Sequence, residues 1–311
     1  MSSYTIRSMT IDDQNEVTSL IYHSTNAWYQ SHARPPIFTG EVSVASVFCE
    51  VYEALDPGCC VVAQCDESGT IAGSCFYHPR PTHVSLGIMN VHPDHFGGGI
   101  ARKLLQFIID LAEKDDRPVR LVSSALNLDS FSLYNRAGFV PRATFQDMYL
   151  EVPEDGIQRG APPEKLECVR QATIDDLDAI VALEEELHHI RRRGDYRHFL
   201  ENESGLWHMS VIENPSGGIN GFLASVFHPG SNMLGPGAMR TQEDAAALIY
   251  SELEHHAGRT PVWLVPVEAS QLVQKLYSWG ARNCELHFSQ VRGKWTKPDG
   301  IVMPTFMPET S

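Results

Sequence analysis

The sequence lacks several features that would place it quickly in a class of protein. It has no run of about 18 apolar residues, so no membrane span is expected. Its first residues, MSSYTIRSMTIDD, lack the basic and then apolar pattern of a secretory signal. Positive charge is also scarce, because the formal net charge is −15, and such a surface repels the phosphates of nucleic acids and anionic lipids. We therefore expect neither nucleic acid nor membrane as a partner.

Patterns for disulfide bonds and for metal sites are missing as well. The seven cysteines are an odd number, and no CxxC pair has a distant partner. His188 and His189 have no second pair at a ligand spacing, so no metal is expected. Most of the cysteines stand in apolar stretches such as GCCVVAQC, which is typical of reduced, buried thiols and predicts a cytoplasmic location.

The chain does contain an internal repeat. IRSMTIDD at 6–13 matches VRQATIDD at 169–176. Further along, RPVRLV at 117–122 resembles TPVWLV at 260–265, in the same order as the first match. A length of 311 residues is long for one hydrophobic core and suits two domains. The repeat therefore predicts two copies of one domain.

The boundaries of the two copies follow from composition. EDGIQRGAPPEK is polar and contains glycine and proline, which marks a linker at 154–165. We predict an N-terminal domain at 1–153 and a C-terminal domain at 166–311. Alternating apolar residues, short turns and helical stripes predict the order β-α-α-β-β-β-α-β-α-β for the first copy. The predicted fold class is α/β (α+β), in which each domain has a mixed, mostly antiparallel central sheet flanked by helices.

A run of three glycines, in VHPDHFGGGIARKLL, stands between a predicted strand and a predicted helix. The start of a helix has N–H groups without partners, and glycines let a phosphate approach them closely. A Walker loop does not fit, because Ile100 and Ala101 stand where it needs Lys and Ser or Thr. A dinucleotide fingerprint starting at Gly97 does not fit either, because Arg102 replaces its last Gly or Ala.

A third pattern does fit. The sequence resembles the GNAT superfamily of N-acetyltransferases, whose acetyl-CoA loop reads Gln/Arg-x-x-Gly-x-Gly/Ala. Gly99 and Ala101 match this loop, whereas Phe96 replaces the long polar residue. MNVHP before the loop is similar to the family's splayed strand, and N-x-x-S-x-x-LY-x-x-x-GF at 127–139 is similar to its later motif. The resemblance covers residues 4–151.

The resemblance implies the residues that bind acetyl-CoA. Backbone groups of the strand bind the pantetheine arm, those of the loop bind the diphosphate, and Asn127 and Tyr134 complete the site. The cofactor-binding residues implied are Met89, Val91, Phe96, Gly97, Gly98, Gly99, Ile100, Ala101, Arg102, Asn127, Ser130 and Tyr134.

The resemblance also implies the chemistry, which is transfer of an acetyl group from a thioester to an amine. Tyr134 matches the family's acid for the departing thiolate, and a backbone N–H near Asn90 is the predicted oxyanion donor. A base must deprotonate the ammonium. The alternatives are His83, His92, or water without a dedicated base. The implied catalytic residues are Tyr134, Asn90 and His83.

The second copy is predicted to be a degenerate GNAT-like domain. The segment equivalent to the glycine loop reads MRTQED at 239–244, where no glycine remains and two acids stand where a phosphate would lie. Thr241 and Asp244 form a T-x-x-D box, whose side chains accept hydrogen bonds from the free N–H groups at the start of the same helix. Three roles stay open for this copy: covering the first sheet, shaping the acceptor pocket, or forming the surface of a homodimer.

The sequence thus predicts an acetyl-CoA-dependent N-acetyltransferase that acts on a primary amine of a small-molecule or peptide acceptor. The alternative is a non-catalytic acyl-CoA-binding or interaction module. The acceptor is expected between the first helices and the fourth strand. The candidate residues there are Trp28, Tyr29, His32 and Tyr77.

Overall fold

The computed structural model describes residues 3–310, which divide into two compact units. The first unit runs to Leu121 and includes Phe306–Glu309 near the end of the chain. The second unit runs from Val122 to Thr305 and includes Thr310. Each unit contains a mixed sheet with helices, as the sequence analysis predicted.

The strands of the first unit lie side by side in chain order. β1 to β4 are antiparallel to their neighbours, whereas β5 is parallel to β4. The fifth strand begins in this unit and ends in the second. The strands are β1 (Tyr4–Ser8), β2 (Cys60–Cys65), β3 (Ile71–Pro79), β4 (Val84–Val91) and β5 (Val119–Ser124).

Three helices belong to the first unit: α1 (Gln14–Ser31), α2 (Ser46–Leu55) and α3 (Ile100–Glu113). The third helix has the amphipathic stripe predicted from the sequence, since Ile100, Leu104 and Ile108 are buried. The order of strands and helices over this unit agrees with the predicted order.

Both copies begin with the same local structure, which confirms the repeat at the level of side chains. The Arg7 guanidinium binds both carboxylate oxygens of Asp13 at 2.6 and 2.8 Å, and Arg170 binds Asp176 in the same way at 2.8 and 2.8 Å. Each carboxylate also accepts a backbone hydrogen bond from the threonine three residues earlier, which closes a capping box. The arginine holds the pKa of each of these aspartates below its usual range.

The second unit contains the longer sheet. Its strands follow the order β12, β6, β11, β10, β9, β8, β7 from the end of β5 outward, with β13 paired to β10. The strands are β6 (Val140–Tyr149), β7 (Val169–Gln171), β8 (Trp207–Glu213), β9 (Ile219–His228), β10 (Ser231–Met239), β11 (Val262–Pro266), β12 (Arg282–Arg292) and β13 (Ile301–Met303).

Helices cover this sheet around a core that includes Leu248, Trp263 and Trp279. The core collects side chains from both β6 and the strands of the second copy. The helices are α4 (Leu128–Arg136), α5 (Leu177–His188), α6 (Arg193–Glu201), α7 (Gln242–His255) and α8 (Ser270–Ser278).

The boundary between the units differs from the boundary between the repeats. β6 lies in the first copy by sequence, yet it pairs with β11 on one edge and with β12 on the other. Its packing therefore belongs to the second unit, and the units divide near Leu121 rather than at 154–165. The predicted domain limits at 1–153 and 166–311 describe the sequence repeat and stay a prediction for independent folding.

The end of the chain is ordered against the first unit. The hydroxyl of Tyr52 donates a hydrogen bond to the carbonyl oxygen of Phe306 at 3.0 Å, and two short strands, β14 (Thr305–Phe306) and β15 (Glu309–Thr310), pair with each other. The seven cysteines are free thiols. Among residues 3–310, no helix combines the length and the hydropathy needed to cross a membrane.

Candidate functional site

The glycine loop ends at the first turn of α3 with a left-handed backbone. The φ angles of Gly97 and Gly99 are +79° and +75°, a region that side chains other than glycine adopt at a cost. Gly99 is the N-cap of α3, and no side chain hydrogen bond caps the helix there. The sequence places glycine where the chain must turn sharply and leave the helix start open.

The open helix start is an anion-binding geometry. The N–H groups of the first turn have no partner inside a helix, and the helix dipole adds partial positive charge. The first turn contains no acidic residue, and Arg102 and Lys103 are exposed beside it. Phe96 is 58% exposed, so its side chain leaves the backbone of the loop accessible. These groups fit a phosphate or diphosphate ester.

β4 leads into this loop with an irregular backbone. Cys75 pairs with Met89 and Tyr77 pairs with Leu86, so β4 has one more residue than β3 over this stretch, which is a bulge. Within the first unit β4 pairs with β5 only at Val84 and Ser85. Beyond those pairs the strand is half-buried at Met89 and Val91. This arrangement has the splayed strand that the sequence predicted, with backbone groups free for a ligand.

Asn90 lies just past the bulge and points toward α1. Its side-chain amide donates to the hydroxyls of Ser24 at 2.8 Å and Thr25 at 3.2 Å. Its Oδ1 atom is buried and has no hydrogen-bond donor among the described residues. A buried carbonyl oxygen normally has a partner, so this atom is a candidate acceptor for a ligand N–H.

The two candidate histidines lie at opposite ends of β4. His83 is fully buried at the start of the strand, beside the hydroxyl of Thr82 at 3.0 Å. Seven residues of strand separate it from Asn90, or about 20 Å, so the structure does not bring His83 to the loop. His92 lies at the loop and accepts a hydrogen bond from the backbone N–H of Asp94 at 3.3 Å, which caps the turn that follows.

The other predicted site residues belong to the second unit. Asn127 accepts a hydrogen bond from the backbone N–H of Ser130 at 3.0 Å and is the N-cap of α4. Tyr134 is buried on the same helix, with its ring 5.7 Å from that of Phe139. Asn127, Ser130 and Tyr134 therefore lie on one short helix that follows β5 directly.

A cleft of about 670 Å³ opens in the first unit between α1, the segment after it and His92. Tyr22 and Phe38 stack on one side, 6.0 Å apart, and the Asn26 side chain holds Phe38 by two hydrogen bonds of 2.9 Å. None of the four predicted acceptor residues, Trp28, Tyr29, His32 and Tyr77, lines this cleft. Tyr77 instead packs against Phe107 on α3.

The second copy has a closed helix start where the first copy has an open one. Thr241 is the N-cap of α7 and accepts from the N–H of Asp244 at 3.2 Å, so the predicted T-x-x-D box is confirmed. The Asp244 carboxylate is fully buried and binds Lys165 at 2.7 Å. At the start of α7 the Asp244 carboxylate is the anion and Lys165 is its counterion, so these groups occupy the position where a phosphate would bind.

A buried polar cluster in the second unit had no signal in the sequence. Asp147 on β6 pairs in register with Glu285 on β12, and His287 follows on the same face. Burial, together with the Glu285 carboxylate, raises the pKa of Asp147 to about 7, and burial lowers the pKa of His287 to about 3. The cluster was missed because its members stand far apart in the chain and share no motif.

Comparison with known proteins identifies the first part of the chain. Residues 25–139 match the family model described as Acetyltransferase (GNAT) family. This stretch contains the loop, β4 and α4, so this part of the chain is similar to the GNAT acetyltransferase family. A Bacillus subtilis protein, UPF0157 protein YqkA, is 37% identical over 73 residues, which are 24% of this chain and 21% of that protein. The match thus spans about a fifth of the curated relative.

Solved structures show the same fold over the whole chain. A Pyrococcus horikoshii protein named as a candidate acetyltransferase has a TM-score of 0.75 at 15% identity, with 99% of this chain and 96% of that chain covered. A tandem GNAT protein from the clavulanic acid biosynthesis pathway has a TM-score of 0.61 at 14% identity, with 93% and 98% covered. The chain therefore shares its fold with both of these proteins.

Proposed function

We propose that this chain is an acetyl-CoA-dependent N-acetyltransferase that acts on a primary amine of a small-molecule or peptide acceptor. The observation that carries the proposal is the start of α3, where Gly97 and Gly99 have left-handed backbone and no side chain caps the helix. The same position in the second copy is capped by Thr241 and filled by Asp244. Only the first copy is therefore built to take a diphosphate.

Residues of α3, β4 and α4 would bind acetyl-CoA and transfer protons. The N–H groups of residues 99–102 would bind the diphosphate, and the backbone of Met89 and Val91 would orient the pantetheine arm. The bound thioester supplies an acyl group that is reactive toward amines. Asn90 Oδ1 would accept a hydrogen bond from an N–H group. The Tyr134 hydroxyl would hold the proton that a departing thiolate takes.

The acceptor would enter the cleft beside α1. Aromatic and amide side chains line this cleft, including Tyr22, Asn26, Gln30 and Phe38, and His92 stands at its edge. Its volume, about 670 Å³, suits a small molecule or the end of a peptide. An enzyme that uses acetyl-CoA works where that thioester is present, so the proposal includes a cytoplasmic location.

Calorimetry with acetyl-CoA, followed by thiol release against a panel of amines, tests the proposal. We expect one binding site per chain and release of thiol with at least one class of amine. Tyr134→Phe should retain acetyl-CoA binding and lose most of the thiol release. Binding without turnover on every amine, with no effect of Tyr134→Phe, would favour the non-catalytic acyl-CoA-binding module. A folded protein that does not bind acetyl-CoA would refute both functions.

A further inference from the structure

The cluster of Asp147, Glu285 and His287 in the second unit has the form of a small-ion site. The antiparallel register places Glu285 directly opposite Asp147, so the two carboxyl groups leave the sheet on the same face. The His287 ring lies between them, with Nδ1 at 3.6 Å from Asp147 Oδ2 and Nε2 at 3.6 Å from Glu285 Oε1. One ligand atom from each residue fits within 4.8 Å of the others.

Burial makes this cluster different from an acidic patch on a surface. Asp147, Glu285 and His287 are 5%, 9% and 4% exposed. Asp147 Oδ1 is buried without a hydrogen-bond donor, and no arginine or lysine among the described residues pairs with Asp147. Carboxylates buried in proteins are paired or bind metal ions. The same chain obeys that rule elsewhere, since the buried Glu184 receives the guanidinium of Arg192.

The chemistry of the three side chains points to a metal ion. Two carboxylate oxygens and one imidazole nitrogen form a ligand set for zinc and for neighbouring divalent transition metals. Ligands about 2.0–2.2 Å from a tetrahedral zinc ion lie about 3.3–3.6 Å apart. The two separations of 3.6 Å involve different ring nitrogens of His287, and an ion binds only one of them. An ion on that nitrogen would therefore draw in the second carboxylate, since one ligand atom from each residue lies within 4.8 Å of the others. Atoms this close leave room for an ion but not for the alkyl chain of an amine.

A neighbouring hydroxyl orients one of the ligands. Ser124 Oγ, at the end of β5, donates a hydrogen bond of 2.6 Å to Glu285 Oε2. Glu285 Oε1 is the oxygen that faces His287. Outer contacts of this type fix the direction of a ligating carboxylate.

We propose that Asp147, Glu285 and His287 bind one divalent transition-metal ion, with zinc as the first candidate. The ion ties β6 of the first copy to β12 of the second copy. No metal was predicted from the cysteines or from His188 and His189. Asp147 and the Glu285–His287 pair come from different repeats, so no local spacing connects them. The site is independent of the proposed acetyl transfer.

Titration of the full chain with metal alone tests the site. Protein stripped with a chelator would be titrated with ZnCl₂ by calorimetry and with CoCl₂ by visible absorption. We expect one equivalent of Zn²⁺ to bind with a Kd in the micromolar range or tighter, a higher melting temperature, and the absorption bands of low-coordinate Co²⁺. Asp147→Asn and His287→Gln should each weaken binding at least tenfold.

A matched control uses another acid next to a histidine. Asp299 lies 3.1 Å from His189 Nε2, and its side chain is 71% exposed. Asp299→Asn should bind zinc as the unchanged chain does. If the unchanged chain binds no zinc or cobalt, or if His287→Gln binds as tightly as the unchanged chain, the site does not exist. If Asp147→Asn does not fold, His287→Gln and the cobalt spectrum still decide the question.

Discussion

Replacing Arg102 by aspartate tests whether the start of α3 binds an anion. Gly99 and Thr241 are the N-caps of α3 and α7, so Arg102 and Asp244 both occupy the third position of their helices. Arg102→Asp therefore gives the first copy the acid that the second copy already carries. The change should affect the protein's stability and its affinity for acetyl-CoA in opposite directions.

The size of each effect follows from electrostatics. A carboxylate in the first turn favours the helix dipole by about 0.3–1 kcal/mol, so the melting temperature should stay equal or rise slightly. Two unit charges 4 Å apart interact by about 4 kcal/mol near a protein surface and by about 1 kcal/mol in bulk water. Arg102 is exposed. Reversal of its charge should therefore cost about 2–3 kcal/mol of binding, or roughly 30- to 100-fold in Kd.

The assay is calorimetry with acetyl-CoA at about 0.1 M salt, with thermal unfolding measured on the same samples. Lys114→Glu is the matched control, because it applies the same change of charge at the C-cap of the same helix, about 20 Å away. We expect less than a threefold change in Kd for this control. If Arg102→Asp also changes Kd by less than threefold while the chain stays folded, the diphosphate does not bind at this helix start.

Three further predictions concern other parts of the chain. In metal-free protein, Asp147→Asn should raise the free energy of unfolding, relative to the unchanged chain, by about 3 kcal/mol more at pH 8 than at pH 5, measured by urea unfolding. The sign follows from the pKa of Asp147, which is about 7 in the folded chain and 3.8 in the unfolded chain. Between pH 4 and 7 the carboxyl group is ionised only in the unfolded chain, so the stability of the unchanged protein falls over this range. An equal gain from Asp147→Asn at both pH values would contradict this. Tyr134→Phe should lower thiol release about 10- to 100-fold and change the Kd of acetyl-CoA less than twofold, whereas a change confined to Kd would contradict its role as an acid. Asp13→Asn and Asp176→Asn should each cost about 1–2 kcal/mol of unfolding free energy, because each removes a bidentate arginine pair; no loss would show that these pairs are neutral.

Local features of the fold were predictable because their signals are short. The stripe of Ile100, Leu104 and Ile108 indicated a helix, and the helix is present. The boxes at Thr10 and Thr173 were readable because a cap needs only residues within one turn. The order of elements in the first copy followed from such patterns and from its turns.

Long-range pairing was not predictable from the same patterns. β6 of the first repeat lies between β11 and β12 of the second repeat. This placement depends on hydrogen bonds between segments that are more than 100 residues apart. The Asp147 cluster exists only through that pairing, so no spacing in the sequence could indicate it. His83 was predicted to be catalytic from its place along the predicted fourth strand, but it lies just before β4, at the end away from the loop.

The position of β6 also determines how the chain can be divided. Both edges of this strand are paired with strands from the second repeat. A chain that ends at residue 153 would contain β6 without its partners β11 and β12. Both edges of β6 would then be unpaired and open to pairing with strands of other molecules. A nick inside 154–165 would instead leave two fragments that hold each other by main-chain hydrogen bonds. The pairing of β6 therefore predicts that neither repeat, expressed alone, forms its complete sheet.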